Sequence, residues 1–364
     1  MAKRIRVAVI FGGRSSEHTI SCISAGSVLK AIDQTKYEVV PIGITRAGKW
    51  VLETADSARL AITDGVFPEV DPTNAPVLFT PDPSATQLVV QSEVPALLAQ
   101  VDVAFPILHG PWGEDGTIQG LFELAGIAYV GSGVFASAAA MDKAHLKALM
   151  RAANIPVGKY EVLSDSDWQN NRETSLTRIK ELGFPLFVKP CRAGSSVGIS
   201  KVKSAADLVQ AIELARQHDP KLIIEASMEN THEIECGVLG GAKGPKASVL
   251  AEIIVRDGHE FYDFEAKYVD DSVELCVPAK LNPALTKRAQ AIACDAFTAI
   301  GGEGLARVDM FITGEDIVIN EINTMPGFTP ISMFPRMWAE SGMDYPELVD
   351  YLISDALSRG TGLR

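Results

Sequence analysis

The chain is expected to be an α/β protein of mixed (α+β) character, with an open parallel sheet first and two α+β units after it. Three observations predict this. The first third alternates short apolar runs with helically spaced segments, the pattern of a mostly parallel sheet covered by helices. The middle third carries strands on both sides of a lysine-bearing helix. The last third is richer in antiparallel strands and includes the hairpin-like "RVDMFITGEDIVINEINTMPG". A length of 364 residues accommodates two or three domains. Boundaries are placed near 137 and 228, giving units 1–137, 138–228 and 229–364.

In chain order, "IRVAVIF" reads as a strand and Ser21 to Ile32 as a helix. "YEVVPIGIT" and "VDVAFPIL" are strands, and "GTIQGLFELAG" has helical spacing closed by a glycine. "IAYVG" is a further strand. The stretch from Glu53 to Pro95, rich in proline, aspartate and threonine, reads as an insertion with short edge strands. One helix is expected from Ala136 to Ala153, carrying Lys143, Lys147 and Arg151. "GKYEVL", "FPLFVKP", "VGISKV" and "KLIIEAS" are strands, with helices at Ser175–Leu182 and Ser204–His218. "HEIECGVLG" and "KASVLAEIIV" follow, then helices at Pro283–Ile300 and Pro346–Ser358.

Bulk composition excludes several classes. With 47% hydrophobic and 22% charged residues the chain is not a disordered one. A net charge of -13 argues against a nucleic-acid binder. Five cysteines without a C-x-x-C pair read as reduced thiols. The opening "MAKRIRVAVIFGG" imitates a secretion signal, but its apolar run ends too soon. Leu124 to Met141 is uncharged but mostly small residues, so packed interior is expected rather than a membrane span. A soluble, cytoplasmic protein with no membrane association is the expectation.

The hairpin poses an electrostatic question. With Gly314-Glu315-Asp316 as a three-residue loop, Thr313 pairs with Ile317, Asp309 with Glu321, and Arg307 with Asn323. The polar residues then share one face, and two carboxylates oppose each other, which is destabilising unless a cation sits there. Carboxylates and an amide oxygen suit magnesium held jointly with phosphates. Apolar neighbours such as Val308, Met310 and Ile319 argue against a solvated surface hairpin. The spacing excludes an EF-hand loop, and "HEIEC" lacks the second histidine of a zinc motif.

Other segments are less specific alone. "FVKPCRAGSSVGIS" offers Lys189 and a glycine-serine loop whose N–H groups can cradle phosphate, although it is not a Walker A motif. "IFGGRSSEHTIS" is a strand, a Gly-Gly loop and a helix entry, with Glu17 placed either to bind an ammonium or simply to favour the helix terminus. "LHGPWGEDGTIQG" brings His109, Glu114 and Asp115 into a strand-to-helix turn, where ordinary turn chemistry is the bland reading. "FYDFEAKYVDD" is either a lid or an exposed polar loop. "GSGVFA" fits a dinucleotide fingerprint, but a helix occupies the interval where an acid-tipped strand should follow.

Taken in order, "FGGRSSEHTIS", "LHGPWGEDGTIQG", "MDK", "FVKPCRAGSSVG", "YDFEAKY", "RVDMF" and "NEINTMPGFTPISMFP" resemble the D-alanine–D-alanine ligases of the ATP-grasp superfamily across nearly the whole chain. The resemblance implies an ATP-grasp fold clamping ATP between the second and third domains. It also implies joining of two D-alanines through a D-alanyl phosphate, for peptidoglycan precursors. It implies that Asp309, Glu321 and Asn323 ligate two magnesium ions, with manganese as a substitute. Lys143 and Lys189 would contact the ATP phosphates, with Ser195 and Ser196 in the covering loop. Glu225 and Glu233 would bind adenine and ribose, with Phe261 near the base. Glu17, assisted by His109, would hold the first D-alanine's ammonium. Lys267, beside the nucleotide, would join Ser332 and Met333 at the second substrate. Glu17, Ser195 and Tyr268 would form a hydrogen-bonded trio over the site. Arg307 and the backbone N–H of Gly327 are the expected oxyanion donors. A homodimer is expected from the same resemblance. Rivals are a D-alanine–D-lactate ligase, disfavoured by Tyr268, a nicotinamide-dependent oxidoreductase, and a binding module with a dead ATP site.

Overall fold

The computed structural model describes residues 4–63, 65–79, 83, 87–90, 96–194, 197–255, 273–362 and 364. Its first unit holds β1 (Ile5–Gly12), α1 (His18–Ala31), β2 (Tyr37–Ile44) and β3 (Trp50–Leu52). A separate antiparallel sheet of β4 (Val77–Phe79), β5 (Gln87–Val90) and β6 (Ala96–Gln100) follows, where short edge strands within 53–95 were expected. Then come β7 (Val103–Ile107), α2 (Thr117–Ala125), β8 (Ala128–Tyr129) and α3 (Val134–Met141). The main sheet has the order β3-β2-β1-β7-β8. Only its edge strand β3 is antiparallel. Val7 to Phe11 are fully buried because both faces are covered, which is why the strand reads as one apolar run. The chain leaves β1 toward β2 on one side and returns with β7 on the other. The carboxyl ends of β1 and β7 therefore flank the crevice where ligands bind in open α/β sheets. Glu17 and His109 follow those two strand ends directly.

The second unit contains α4 (Lys143–Ala152), β9 (Tyr160–Leu163), α5 (Asp165–Asn170), α6 (Arg172–Lys180), β10 (Leu186–Pro190), β11 (Ser200–Val202), α7 (Leu208–Arg216) and β12 (Leu222–Ala226). Its antiparallel sheet runs β11-β10-β12-β9. Leu186 and Val188 turn to a core with Trp168, Leu176, Ile179, Leu208 and Ile212. Alternation sends Phe187 and Lys189 to the other face.

The third unit contains β13 (His232–Leu239), β14 (Lys246–Val255), β15 (Val273–Cys276), α8 (Pro283–Ala299), β16 (Leu305–Thr313), β17 (Asp316–Asn323), α9 (Met333–Glu340) and α10 (Tyr345–Arg359). Its sheet runs β15-β14-β13-β16-β17, all antiparallel. Helix α8 covers one face through Leu285, Ala289, Ala293 and Phe297, against Ile234, Cys236, Val308 and Met310. The free edge of β17 is capped by a short parallel bridge from Val157 to Ile319, an arrangement that hides an exposed ladder. Helix α10 returns to the first sheet, where Leu348, Val349, Leu352 and Ile353 join the core of Val7, Val9, Phe11 and Phe105. Among the described residues no helix is long and apolar enough to cross a membrane.

Three expectations are corrected. The helix expected over Ala136–Ala153 is two helices broken at Asp142, whose side chain accepts the Ala144 and His145 N–H groups at 3.1 Å each. That cap places Lys143 at the first position of α4, and the Lys143 N–H donates to Cys191 O at 3.0 Å. In the hairpin, Thr313 pairs with Asp316 and not with Ile317, so the turn is only Gly314-Glu315, with Gly314 at φ 61°. A bulge at Asn320 then restores the expected pairs, Asp309 with Glu321 and Arg307 with Asn323. The third concerns Leu124 to Met141, which is interior on one side only, since Leu124 and Phe135 are exposed. The "GSGVFA" segment is followed by α4, and the next strand, β9, lies in a different sheet, so the dinucleotide-binding pattern fails.

Burial raises the Asp142 pKa, but the Lys221 ammonium, at 2.8 Å and 2.9 Å from its two oxygens, wins and holds the carboxyl below its ordinary range. Asp142→Ala removes both cap and ion pair, and loss of the cap alone costs about 1 kcal/mol. Asp142→Asn retains a capping oxygen. Calorimetry is expected to rank melting temperatures wild type, Asp142→Asn, then Asp142→Ala; equal values for all three would show that the break in the helix needs no cap.

Candidate active site

The three units enclose a cavity of about 830 Å³, and every described residue proposed above as a site residue lines it. Ser195, Ser196, Phe261, Lys267 and Tyr268 lie outside the described residues.

One wall is cationic. Lys143 and Lys147, one turn apart on α4, face the cavity beside Lys189 of β10. Glu225 of β12 sits between two of them, 2.9 Å from Lys147 Nζ and 2.6 Å from Lys189 Nζ. Burial pushes the Glu225 carboxyl up, but the two ammonium groups overcome it and hold the pKa far below the usual range. Burial likewise lowers the Lys189 pKa, and Glu225 more than reverses the effect. Lys189 and Lys201 lie 5.5 Å and 5.7 Å from the Phe187 ring centroid, giving this wall an aromatic floor.

The opposite wall is the acid-bearing face of β13, β16 and β17. Asp309 accepts from Arg307 Nε and Nη2 at 2.7 Å each, and from Asn323 Nδ2 at 3.0 Å. Glu321 lies 3.4 Å from Lys143 Nζ. The opposed carboxylates of Asp309 and Glu321 are thus each given a cation. Arg307 also reaches Glu235 at 3.2 Å. Burial disfavours the guanidinium charge, but the Asp309 and Glu235 carboxylates more than compensate, so Arg307 is firmly protonated. Glu233 lies on the same face of β13 as Glu235 and lines the cavity.

The third side is built from loops of the first unit. Glu17 precedes α1, and its carboxylate is approached by Gly110 and Gly194 from two different units. A Cβ at Gly110 would stand 2.4 Å from Glu17 Oε2, and one at Gly194 3.0 Å away. A side chain at either position would push the Glu17 carboxylate aside. His109 Nδ1 lies 2.9 Å from Met325 O, and Nε2 lies 3.3 Å from Ser24 Oγ. Burial lowers the His109 pKa, so the ring is neutral. Glu114 accepts from Gly110 N–H at 2.7 Å and Met325 N–H at 3.0 Å. Burial, helped by the nearby Glu17 charge, pushes its pKa up to about 8. Asp115 accepts from Trp112 and Thr117 N–H groups, which is the ordinary turn chemistry expected of it.

Gly327 follows Met325 and Pro326 on the cavity rim, and Ser332 Oγ lies 2.8 Å from Thr329 Oγ1 where α9 begins. Phe328 is fully buried, with its ring 5.9 Å from Phe105, 6.1 Å from Phe334 and 5.6 Å from Tyr345.

Several participants carry no assigned role in the sequence reading. Glu235 was findable, because it is two residues from Glu233 and strand periodicity puts both on one face. Lys147 was findable from its spacing to Lys143. Phe187 shares its strand face with Lys189. The contacts of Glu114 with Met325 and of Phe328 with Phe105 have no local signal, since those partners come from other units.

Two family models match the chain, one described as D-ala D-ala ligase N-terminus over residues 6–132 and the other as D-ala D-ala ligase C-terminus over residues 149–354. The D-alanine–D-alanine ligase of Streptomyces griseus subsp. griseus is 52% identical over 373 aligned residues, covering 100% of this chain and 95% of that one. That of Nocardia farcinica is 53% identical and covers 100% of both chains. Among solved structures, the VanG D-Ala:D-Ser ligase from Enterococcus faecalis superposes with a TM-score of 0.84 at 36% identity, covering 97% of this chain and 100% of that one. The D-alanine–D-alanine ligase from Coxiella burnetii gives 0.82 at 34% identity, with 98% and 95% covered. Matched end to end, and built from the same sequence of units around one charged cavity, the chain belongs to the D-alanine–D-alanine ligase family and has its ATP-grasp fold.

Proposed function

We propose that the protein joins two D-alanines in an ATP-dependent reaction, through a D-alanyl phosphate, to supply D-alanyl-D-alanine for peptidoglycan precursors. The observation that carries this reading is that one cavity sets a lysine wall against an oxygen-donor wall, with the Glu17 carboxylate also lining it. A carboxylate resists attack by an amine because its leaving group would be oxide. Phosphoryl transfer turns that oxygen into a phosphate leaving group.

In this reading Lys143 and Lys189 receive the ATP phosphates, and Glu225 and Glu233 serve the adenosine end. Glu17 pairs with the ammonium of the first D-alanine, which turns its carboxylate toward the phosphates. The second amino acid sits by Ser332 and Met333. Its amine attacks the acyl phosphate, and the tetrahedral oxyanion meets Arg307 and the Gly327 N–H before phosphate departs. Roles for Ser195, Ser196, Phe261, Lys267 and Tyr268, including the preference for dipeptide over depsipeptide, rest on their place in the family's sequence pattern. Division into units 1–137, 138–228 and 229–364, a cytoplasmic location and a homodimeric assembly belong to the same reading.

Asp309, Glu321 and Asn323 fit two magnesium ions, or manganese in their place. They are hard oxygen donors on one sheet face, and Asp309 and Asn323 are already in contact. When bound, such ions neutralise phosphate charge during transfer. The protein's own part is to balance the charges of Asp309 and Glu321 and hold them at the cavity, through the contacts of Arg307 and Lys143.

ADP release from ATP is expected to depend on D-alanine and to match dipeptide formation one for one. ATP turnover indifferent to D-alanine, or NADH binding without ligation, would defeat the proposal. Calorimetry is expected to show nucleotide binding that requires magnesium and disappears with chelator; metal-independent binding of the same affinity would remove the donor set from the reading. Arg307→Ala is expected to lower turnover by roughly 10²–10³-fold, the scale of one oxyanion donor. Arg307→Lys keeps the charge but loses the two-point contact to Asp309. Near-normal turnover in both would assign Arg307 a structural role alone.

A further inference from the structure

The peptide units on both sides of Met325 are held by side chains from another unit of the protein. Its carbonyl lies 2.9 Å from His109 Nδ1, and its N–H donates to Glu114 Oε1 at 3.0 Å. These partners precede it by 216 and 211 residues. The second Glu114 oxygen accepts the Gly110 N–H at 2.7 Å, fixing the carboxylate within its own loop. A third contact from the same unit acts just downstream, where the Phe328 ring rests against Phe105 of β7. Tyr345 OH donates to Phe328 O at 2.6 Å. The four-residue turn Met325–Phe328 is therefore tied at both ends to groups outside its own strand. Pro326 lies between, with a fixed φ and no N–H, so the setting of the Met325 peptide carries through to Gly327.

The imidazole has little left to offer a substrate. A neutral ring that donates Nδ1–H to the Met325 carbonyl keeps Nε2 as its only acceptor. Ser24 Oγ stands 3.3 Å from that nitrogen. Glu114 is similarly committed, with both oxygens accepting backbone N–H groups. A carboxyl group suits this task whether ionised or protonated, because each of its oxygens keeps an acceptor lone pair, whereas the nitrogen of an amide has none.

The geometry points to His109 and Glu114 as positioning residues that act through the Met325 peptide to aim the Gly327 N–H, His109 having no direct hold on the first substrate's ammonium. This rests on the reading above that Gly327 meets the oxyanion. It also gives docking of the first unit a chemical consequence: Glu17 and the clamp on Met325 sit on loops of that one unit, so substrate capture and alignment of the oxyanion donor arrive together.

Replacement of His109 by asparagine or glutamine separates the two roles. Asparagine places an amide N–H near the position of Nδ1, whereas glutamine places one near Nε2. Steady-state dipeptide formation by the full-length protein is the assay. Wild-type turnover in it tests the ligase reading independently of the clamp. His109→Asn is expected to keep kcat within about threefold of wild type, whereas His109→Gln and Glu114→Gln lower kcat by roughly 10–100-fold, the scale of a misaligned catalytic group. KM for the first D-alanine is expected to move by less than about threefold, as for an interaction made in the transition state alone. Melting temperatures and magnesium-ATP affinity identify any variant that fails to fold, and the comparison of asparagine with glutamine uses two substitutions at one site. Glutamine equal to or better than asparagine, or a rise in first-site KM as large as the loss in kcat, would overturn the proposal and return His109 to the ammonium. Unchanged kcat in Glu114→Gln would remove Glu114 from it.

Discussion

The structure turns on a pair of opposed carboxylates. Asp309 and Glu321 stand across adjacent strands, where like charges repel and burial worsens the repulsion. Arg307 grips Asp309 with two nitrogens and Lys143 approaches Glu321 from a different unit. One cation is therefore built into the same strand, and the other arrives only when α4 is docked. Removing Arg307 would take the two-point cationic contact from a buried carboxylate, which costs more than the pair itself contributes. The acid face and the lysine wall thus depend on each other before any ligand enters.

A similar economy governs the cationic side. Lys147 and Lys189 would repel across a narrow cleft without Glu225 between them. The glutamate offsets both charges and fixes the direction of both side chains. Asp142 performs the related task for the helix that carries Lys143 and Lys147. It caps the first turn and is itself held by Lys221. These groups lie behind the lysines, yet they decide where the lysine side chains point.

The third wall comes from the crevice between the ends of β1 and β7. A parallel sheet that reverses its winding leaves two loops diverging there, and those loops carry Glu17, His109 and Glu114. Their contacts run to the Met325 turn and to the Gly194 loop. Each of the three units therefore touches the other two at the cavity, and closure of the site is a property of their docking.

Sequence alone determined the order and kind of the units. Val7 to Phe11 read as a doubly covered strand because burial on both faces demands an unbroken apolar run. The polar set on β16 and β17 was legible because strand periodicity puts Arg307, Asp309, Glu321 and Asn323 on one face whatever lies opposite. Tertiary structure decided the rest. The bulge at Asn320 and the break at Asp142 each change one residue's backbone, which propensity does not resolve. The pairings of Lys143 with Glu321, Lys147 with Glu225, Glu235 with Arg307, and His109 and Glu114 with Met325 join positions far apart in the chain. Their physical cause is mutual compensation of buried charges and backbone polar groups. That compensation exists only once folding has brought both partners out of water into the same place.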